Sequence, residues 1–228
     1  MKRQEVGGVP GNVLGMFADL ALKLQNGVIT SGQFGKFLKK QNPFALGDYS
    51  EPLADWQSFY HSLGINCDLS GVVIPDDPGG FSRVIIMVQD ITPQSVYDLC
   101  VKNFPCWKYT DKNLNEIIES ERTAGNGAYA IRIRDRVEAD EELKNLSANQ
   151  LKQQNVLGIT LEESLIYELK FFKETGKHLD IQNITLCSGS RFGDGRVPSV
   201  DWYDDEVHIR WWNAGSADDR LRSRQVVS

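Results

Sequence analysis

Ile131-Arg132-Ile133-Arg134-Asp135-Arg136 carries the densest candidate chemistry in the chain. Period-two alternation puts Arg132, Arg134 and Arg136 on one face of a strand and Ile131 and Ile133 on the other. Guanidinium groups repeating at about 7 Å along a strand match a phosphodiester backbone or a carboxylate-rich partner. After Lys177 every basic residue is arginine, at positions 191, 196, 210, 220, 222 and 224. Arginine without lysine points to directed hydrogen bonding rather than to solubility alone. The competing reading is a solvated face paired with Asp135, Glu116 and Glu119, since surface charge ladders usually do no more than that.

The histidines His61, His178 and His208 supply the acid–base candidates. A two-residue turn at Asp204-Asp205 would set Tyr203 opposite Glu206, Trp202 opposite Val207 and Asp201 opposite His208. Val200, Trp202, Val207, Ile209 and Trp211 would then form the buried face, leaving Asp201 and His208 as a candidate acid–base pair on the other. An exposed structural pair is the plainer alternative. His178 and Asp180 share one side of an extended segment, but one such pair is common by chance, so no metal is assigned. Ser188 and Ser190 lack the flanking glycines of a nucleophile elbow. Pro78-Gly79-Gly80 and Gly193-Asp194-Gly195 have neither phosphate-loop nor dinucleotide spacing and read as turns. No cofactor is implied. Cys67, Cys100, Cys106 and Cys187 form no C-x-x-C and read as small buried hydrophobes in a reducing compartment.

The elements that must position these residues follow from periodicity. Val13, Phe17, Leu20 and Leu24 make a helical stripe that Asn26-Gly27 stops. A second helix starts after Thr30-Ser31, with Phe34, Phe37 and Leu38 on one face and Pro43 beyond its end. Residues 1–44 thus read as an N-terminal helical hairpin, 45–52 as a linker and 53–228 as an α+β domain. A third helix over 53–63 carries Trp56, Phe59 and Tyr60. Residues 82–89 read as a strand covered on both faces, and Thr92-Pro93 opens a helix to about Asn103. Cys106 to Tyr109 returns as a strand, giving a strand–helix–strand unit. Residues 114–120 and 127–136 read as a hairpin across Ala124-Gly127. Residues 139–154 are helix-prone. Thr160-Leu161-Glu162-Glu163 is a capping box, and Leu161, Leu165, Leu169 and Phe172 form a stripe that should pack on a sheet until Gly176 ends the helix. Strands over 184–188, 197–203 and 206–212 follow.

Composition bounds the rest. The chain has 228 residues, 41% of them hydrophobic and 25% charged, and a net charge of −6, so it can build a core without disulfides or metal. A protein coating nucleic acid with its whole surface would be basic, which leaves only a local basic patch. The longest wholly apolar run, Val84 to Val88, is far short of a membrane span. The expectation is therefore a cytoplasmic protein without membrane contact.

Several runs are specific enough to carry a resemblance. They are Asn42-Pro43-Phe44, Leu53-Ala54-Asp55-Trp56-Gln57, Phe104-Pro105-Cys106-Trp107, Glu138 to Leu143, Lys173 to Asp180 and Leu186 to Arg191. From about residue 25 to the end, the chain resembles a family of uncharacterised proteins from uncultured, small-genome candidate-phylum bacteria. The resemblance implies a bacterial origin and no activity, ligand or site residue.

The sequence thus predicts an α+β fold with a mixed, mainly antiparallel sheet packed by helices. The expected function is non-catalytic binding of an anionic partner, nucleic acid among the candidates, through Arg132, Arg134 and Arg136 and the aromatic C-terminal hairpin. The alternative is an enzyme of unrecognised type using His178 or His208 with Asp201.

Overall fold

The computed structural model describes residues 11–26, 28–29, 31–38 and 50–228. Contacts divide the chain into one unit up to Gly47 and another from Asp48. In the first, α1 (Gly11–Gln25) and α2 (Ser31–Leu38) form where the helical spacing predicts them. Val13, Leu20 and Leu24 are half-buried, whereas Phe17 of the expected stripe is exposed. Pro43 and most of the expected linker lie outside the described residues.

The second unit is α+β. It opens with α3 (Ser50–Ser62), which starts before the expected Leu53, then β1 (Arg83–Met87) and α4 (Pro93–Val101). Next come β2 (Cys106–Lys108), α5 (Leu114–Ile117), β3 (Ile118–Ser120), β4 (Tyr129–Ile133) and α6 (Ala148–Gln153). The long α7 (Leu161–Thr175) leads to β5 (Ile184–Leu186), β6 (Ser190–Phe192), β7 (Val197–Tyr203), β8 (Glu206–Trp212) and β9 (Leu221–Arg222).

The main sheet is mixed and five-stranded, in the order β2-β8-β7-β5-β9. β7 pairs antiparallel with β8 and β5, while β2 and β9 run parallel to their neighbours. The two-stranded sheets β1-β4 and β3-β6 are antiparallel. Two expectations fail here. β1 and β2 join different sheets, so the strand–helix–strand segment is not a unit of one sheet. The 114–136 hairpin does not form either. Asn113 caps a helical turn at Leu114, and the short β3 finds its partner in β6 while β4 finds β1. Residues 139–154 also break up, into a 3-10 turn at Glu141–Leu143 and the short α6 capped by Ser147.

The helix α7 is closed as its sequence indicates. Thr160 and Glu163 form the capping box, and Gly176 takes the left-handed φ of 67° that favours glycine. Its burial exceeds the prediction. Every residue from Leu161 to Lys170 is buried, because α4 and β1 pack on it as well as β7. The four charged residues of that stretch therefore need partners. Glu162 takes a hydrogen bond from Ser120, Glu163 pairs with Arg122, Glu168 with His178, and Lys170 with Asp55 and Glu174.

The C-terminal segment zips the pieces together. β9 pairs with β5, Ser223 Oγ donates to the Leu186 carbonyl, and Val226 N–H donates to Leu157. Arg132 and Val227 then exchange both backbone hydrogen bonds, at 2.8 and 2.9 Å. Through this one segment, β4 is tied to the elements around β5.

Candidate functional site

The expected arginine strand stops at Ile133, so of the three arginines only Arg132 lies in β4, and its face is covered too. Ile131 and Ile133 are fully buried, and Arg132 is only 9% exposed. Arg132 Nε donates to the Pro75 carbonyl at 2.5 Å and Nη1 to that of Phe81 at 3.3 Å. The segment before β1 thus lies across the face that the alternation reserved for solvent. Arg134 stacks over Phe81 at 4.3 Å and donates to Asp140 at 2.7 Å and to Gln225 at 3.1 Å. Arg136 makes a forked pair with Glu142, at 2.6 and 2.9 Å. The carboxylates are Asp140 and Glu142 rather than the expected Asp135, Glu116 and Glu119. Three solvent-facing guanidinium groups in a row do not exist here.

Of the later arginines Arg224 is buried as well. Arg224, 1% exposed, donates to the carbonyls of Arg136, Val137 and Glu138 and pairs with Asp180 at 2.8 Å. Asp180 also accepts from Ala139 N–H and Thr185 Oγ1. Its own backbone is left-handed at φ 49°. Burial pushes its carboxyl up to about 6, with Arg224 opposing. Directed hydrogen bonding by arginine is real in this chain, and its targets are carbonyls of the protein itself.

Asp180 therefore does not serve His178. His178 Nδ1 meets Glu168 at 2.6 Å, and the ring is stacked on Trp202 at 3.5 Å between Phe172 and Phe104. No group of three metal-ligating side chains occurs among the described residues. Ser188 Oγ is bonded to Ser223 Oγ at 2.8 Å, and a Cβ on Gly158 would lie 1.7 Å from it, so this serine is wedged in packing. The cysteines are free; Cys100 and Cys187 are buried, and burial pushes the Cys106 thiol up to about 12.

The hairpin register is the predicted one. Asp204 and Asp205, with φ of 52° and 60°, form the two-residue turn, and Asp201 faces His208. Val200, Trp202, Val207 and Ile209 face inward into the main core. Trp211, expected with them, is exposed at the strand end beneath Arg196, whose guanidinium sits 4.0 Å above its ring. On the outer face, Ala148 of α6 packs with Ile184, Leu186, Val197 and Leu221, covering the β5–β9 half.

The other half of the outer face is where polar and aromatic groups converge. Trp107, His208 and Asp201 form one row across β2, β8 and β7. Trp107 and Tyr203 are 44% and 58% exposed, with their rings 5.1 and 5.6 Å from that of His208. Arg210 lies over Tyr203 at 4.9 Å. It donates to Asp201 Oδ2 at 3.2 Å and contacts His208 Nδ1 at 2.8 Å. A guanidinium can only donate, so His208 Nδ1 is the acceptor and the ring proton sits on Nε2. Asp201 and His208 are thus joined through Arg210 and not to each other. Burial pushes the Asp201 carboxyl up, opposed by Arg210, His208 and Arg220. Asp201 Oδ1, His208 Nε2 and Ser199 Oγ, all on this face, are buried without a hydrogen-bond partner among the described residues.

Trp107 and Arg210 were not singled out from the sequence. Arg210 shares the parity of His208, which was a usable signal. The pairing of Trp107 with His208 depends on a parallel contact that no local pattern encodes. Neither a scan against protein-family models nor comparisons with curated proteins and solved structures returned a match. The reading of the site therefore rests on its geometry.

Proposed function

We propose that the protein is a non-catalytic binding protein that holds an anionic partner, single-stranded nucleic acid, on the outer face of β2, β8 and β7. The observation that carries this reading is the pair of exposed rings, Trp107 and Tyr203, on the two sides of His208, with Arg210 over Tyr203. Bases stack on such rings at about 1–3 kcal/mol each, and every base has a π-face. Arg210 and the exposed Arg220 are the cations of this region, each paired with one carboxylate, Asp201 and Asp218, which a phosphate would have to share or displace. The arginine strand contributes little, since Arg132 and Arg134 are engaged inside the fold. The enzymatic alternative has weaker support. Trp202, against which His178 stacks, faces inward whereas Asp201 faces outward, and the acceptor nitrogen of His208 is occupied by Arg210.

Fluorescence polarisation with single-stranded and duplex DNA and RNA at several salt concentrations tests this. Single strands should bind more tightly than duplexes, and Trp107→Ala or Tyr203→Ala should weaken binding about tenfold or more. Arg210→Gln should reduce the salt slope by about 0.7, the share of one phosphate contact on a single strand. Absence of binding by the wild type at low salt would sink the proposal.

A further inference from the structure

The N-terminal unit is where large apolar side chains stand most densely in solvent. Leu14, Met16, Phe17 and Leu22 of α1 and Phe37 and Leu38 of α2 are all exposed. Among the described side chains of α1 the polar ones are Asp19 and Lys23, paired at 2.7 Å on one side, and Gln25 on another. A helix apolar on most sides needs cover on most sides. The charge of this unit says what kind of cover. Residues 1–47 hold six basic side chains (Lys2, Arg3, Lys23, Lys36, Lys39 and Lys40) and two acidic ones (Glu5 and Asp19), a net charge of +4. Residues 48–228 hold 19 basic and 29 acidic, a net charge of −10. The stretch of sequence that bears the exposed apolar side chains is therefore basic, on a chain that is otherwise acidic.

We infer that the exposed apolar surface of α1 and α2 docks on an anionic lipid surface. Leucine, methionine and phenylalanine side chains enter the boundary of headgroups and acyl chains, while lysines meet the acidic headgroups. The acidic remainder of the chain is repelled from the same surface, so contact is confined to this unit. At 15 residues α1 is about 22 Å long, short of the roughly 30 Å hydrocarbon core, so it lies on the membrane without crossing it. No helix among the described residues is long and apolar enough to cross a membrane. The expectation of no membrane contact followed from that same shortness of apolar runs, which bears on spanning and not on surface binding. The inference is independent of the sheet-face reading and uses none of its residues.

Co-sedimentation of the full chain tests it, using vesicles of phosphatidylcholine alone and of phosphatidylcholine with about a third phosphatidylserine. The chain should pellet with the acidic vesicles at least about tenfold more strongly than with the neutral ones, and salt should weaken the association. Phe17→Glu with Leu22→Glu should abolish pelleting; both positions are exposed, and circular dichroism checks that the fold is retained. Replacing Lys36, Lys39 and Lys40 with Gln should remove the preference for acidic vesicles while keeping every apolar side chain. Equal failure with both vesicle types overturns the inference. So does self-association in light scattering that Phe17→Glu with Leu22→Glu removes while the wild type ignores vesicles, which would assign the surface to a second copy of the chain.

Discussion

Two strands of this protein carry arginine in alternation with apolar residues, and the fold treats them in opposite ways. At β4 and just past its end, residues 75–81 and the C-terminal segment close over the arginine side, so Arg132 and Arg134 bond to carbonyls, Asp140 and Gln225. On β8, beyond the half of the sheet on which α6 packs, Arg210 stays partly exposed over the ring of Tyr203, and His208 lies between that ring and Trp107. Alternation tells which side chains share a face. It does not tell whether another segment will cover that face. The same amino acid therefore builds a fastening in one place and a surface in the other.

The sharpest test of the fastening is Arg224→Ala. It removes one donor from each of three carbonyls, of which those of Arg136 and Val137 keep Tyr167 Oη and Asp180 N–H, and leaves Asp180 buried beside no cation. Breaking a buried pair by removing one partner costs about 3–5 kcal/mol. Urea denaturation should show a loss of that size. A loss below 1 kcal/mol would mean the inward arginines do not hold the C-terminal segment.

Closing inward also buries carboxylates, and pH reads that out. Burial pushes Glu162 from 4.5 up to about 7, with Glu163 adding to the shift and hydrogen bonds from Ser120 and Thr160 opposing it. The folded state then binds this proton more tightly than the unfolded chain does. Stability should fall as pH rises from about 4.5 to about 7, by up to about 3 kcal/mol from this group. Denaturation midpoints of wild type and Glu162→Gln across that window check it, since the variant should lose this group's share of the slope and keep that of Asp180, which ends near 6. The surface pair has the reverse sign: the Arg136 hydrogen bonds hold Glu142 at about 2, so its contribution is lost only as pH falls below the usual carboxylate range.

If alternation alone decided exposure, Arg132, Arg134 and Arg136 could be replaced together with alanine at little cost to the fold. With Arg132 buried, Arg132→Ala alone should cost about 2–3 kcal/mol, the penalty of leaving carbonyls under the 75–81 segment without donors. Thermal unfolding of this single variant decides the matter. A neutral result would restore the strand to the surface.

Much of the fold was legible where the signal was local. The capping box of α7, the N-cap and proline of α4 and the register of the β7–β8 hairpin are each specified within a few residues. The failures were of long-range pairing. Nothing near Ile118 says that its strand will join Phe192, and nothing near Arg132 announces Pro75 and Phe81. The site shows the same division. The cross-strand neighbours Asp201 and His208 could be placed from a turn, but Trp107 reached them only through a parallel edge strand.

The smallest effect discriminates the two strands most directly. Arg136 is the member of the expected arginine strand that stays 40% exposed, and its forked pair with Glu142 is at the surface. Such pairs contribute about 0–1 kcal/mol, so Arg136→Ala should barely move the denaturation midpoint. It should also leave oligonucleotide affinity and its salt slope unchanged, because it is not on the outer face of β8. Arg210→Gln, by contrast, should take away the salt dependence of one contact. Polarisation titrations of these two variants side by side make the comparison. If Arg136→Ala weakens binding as much as Arg210→Gln does, the open surface belongs to the β4 side and the assignment of roles between the two strands is reversed.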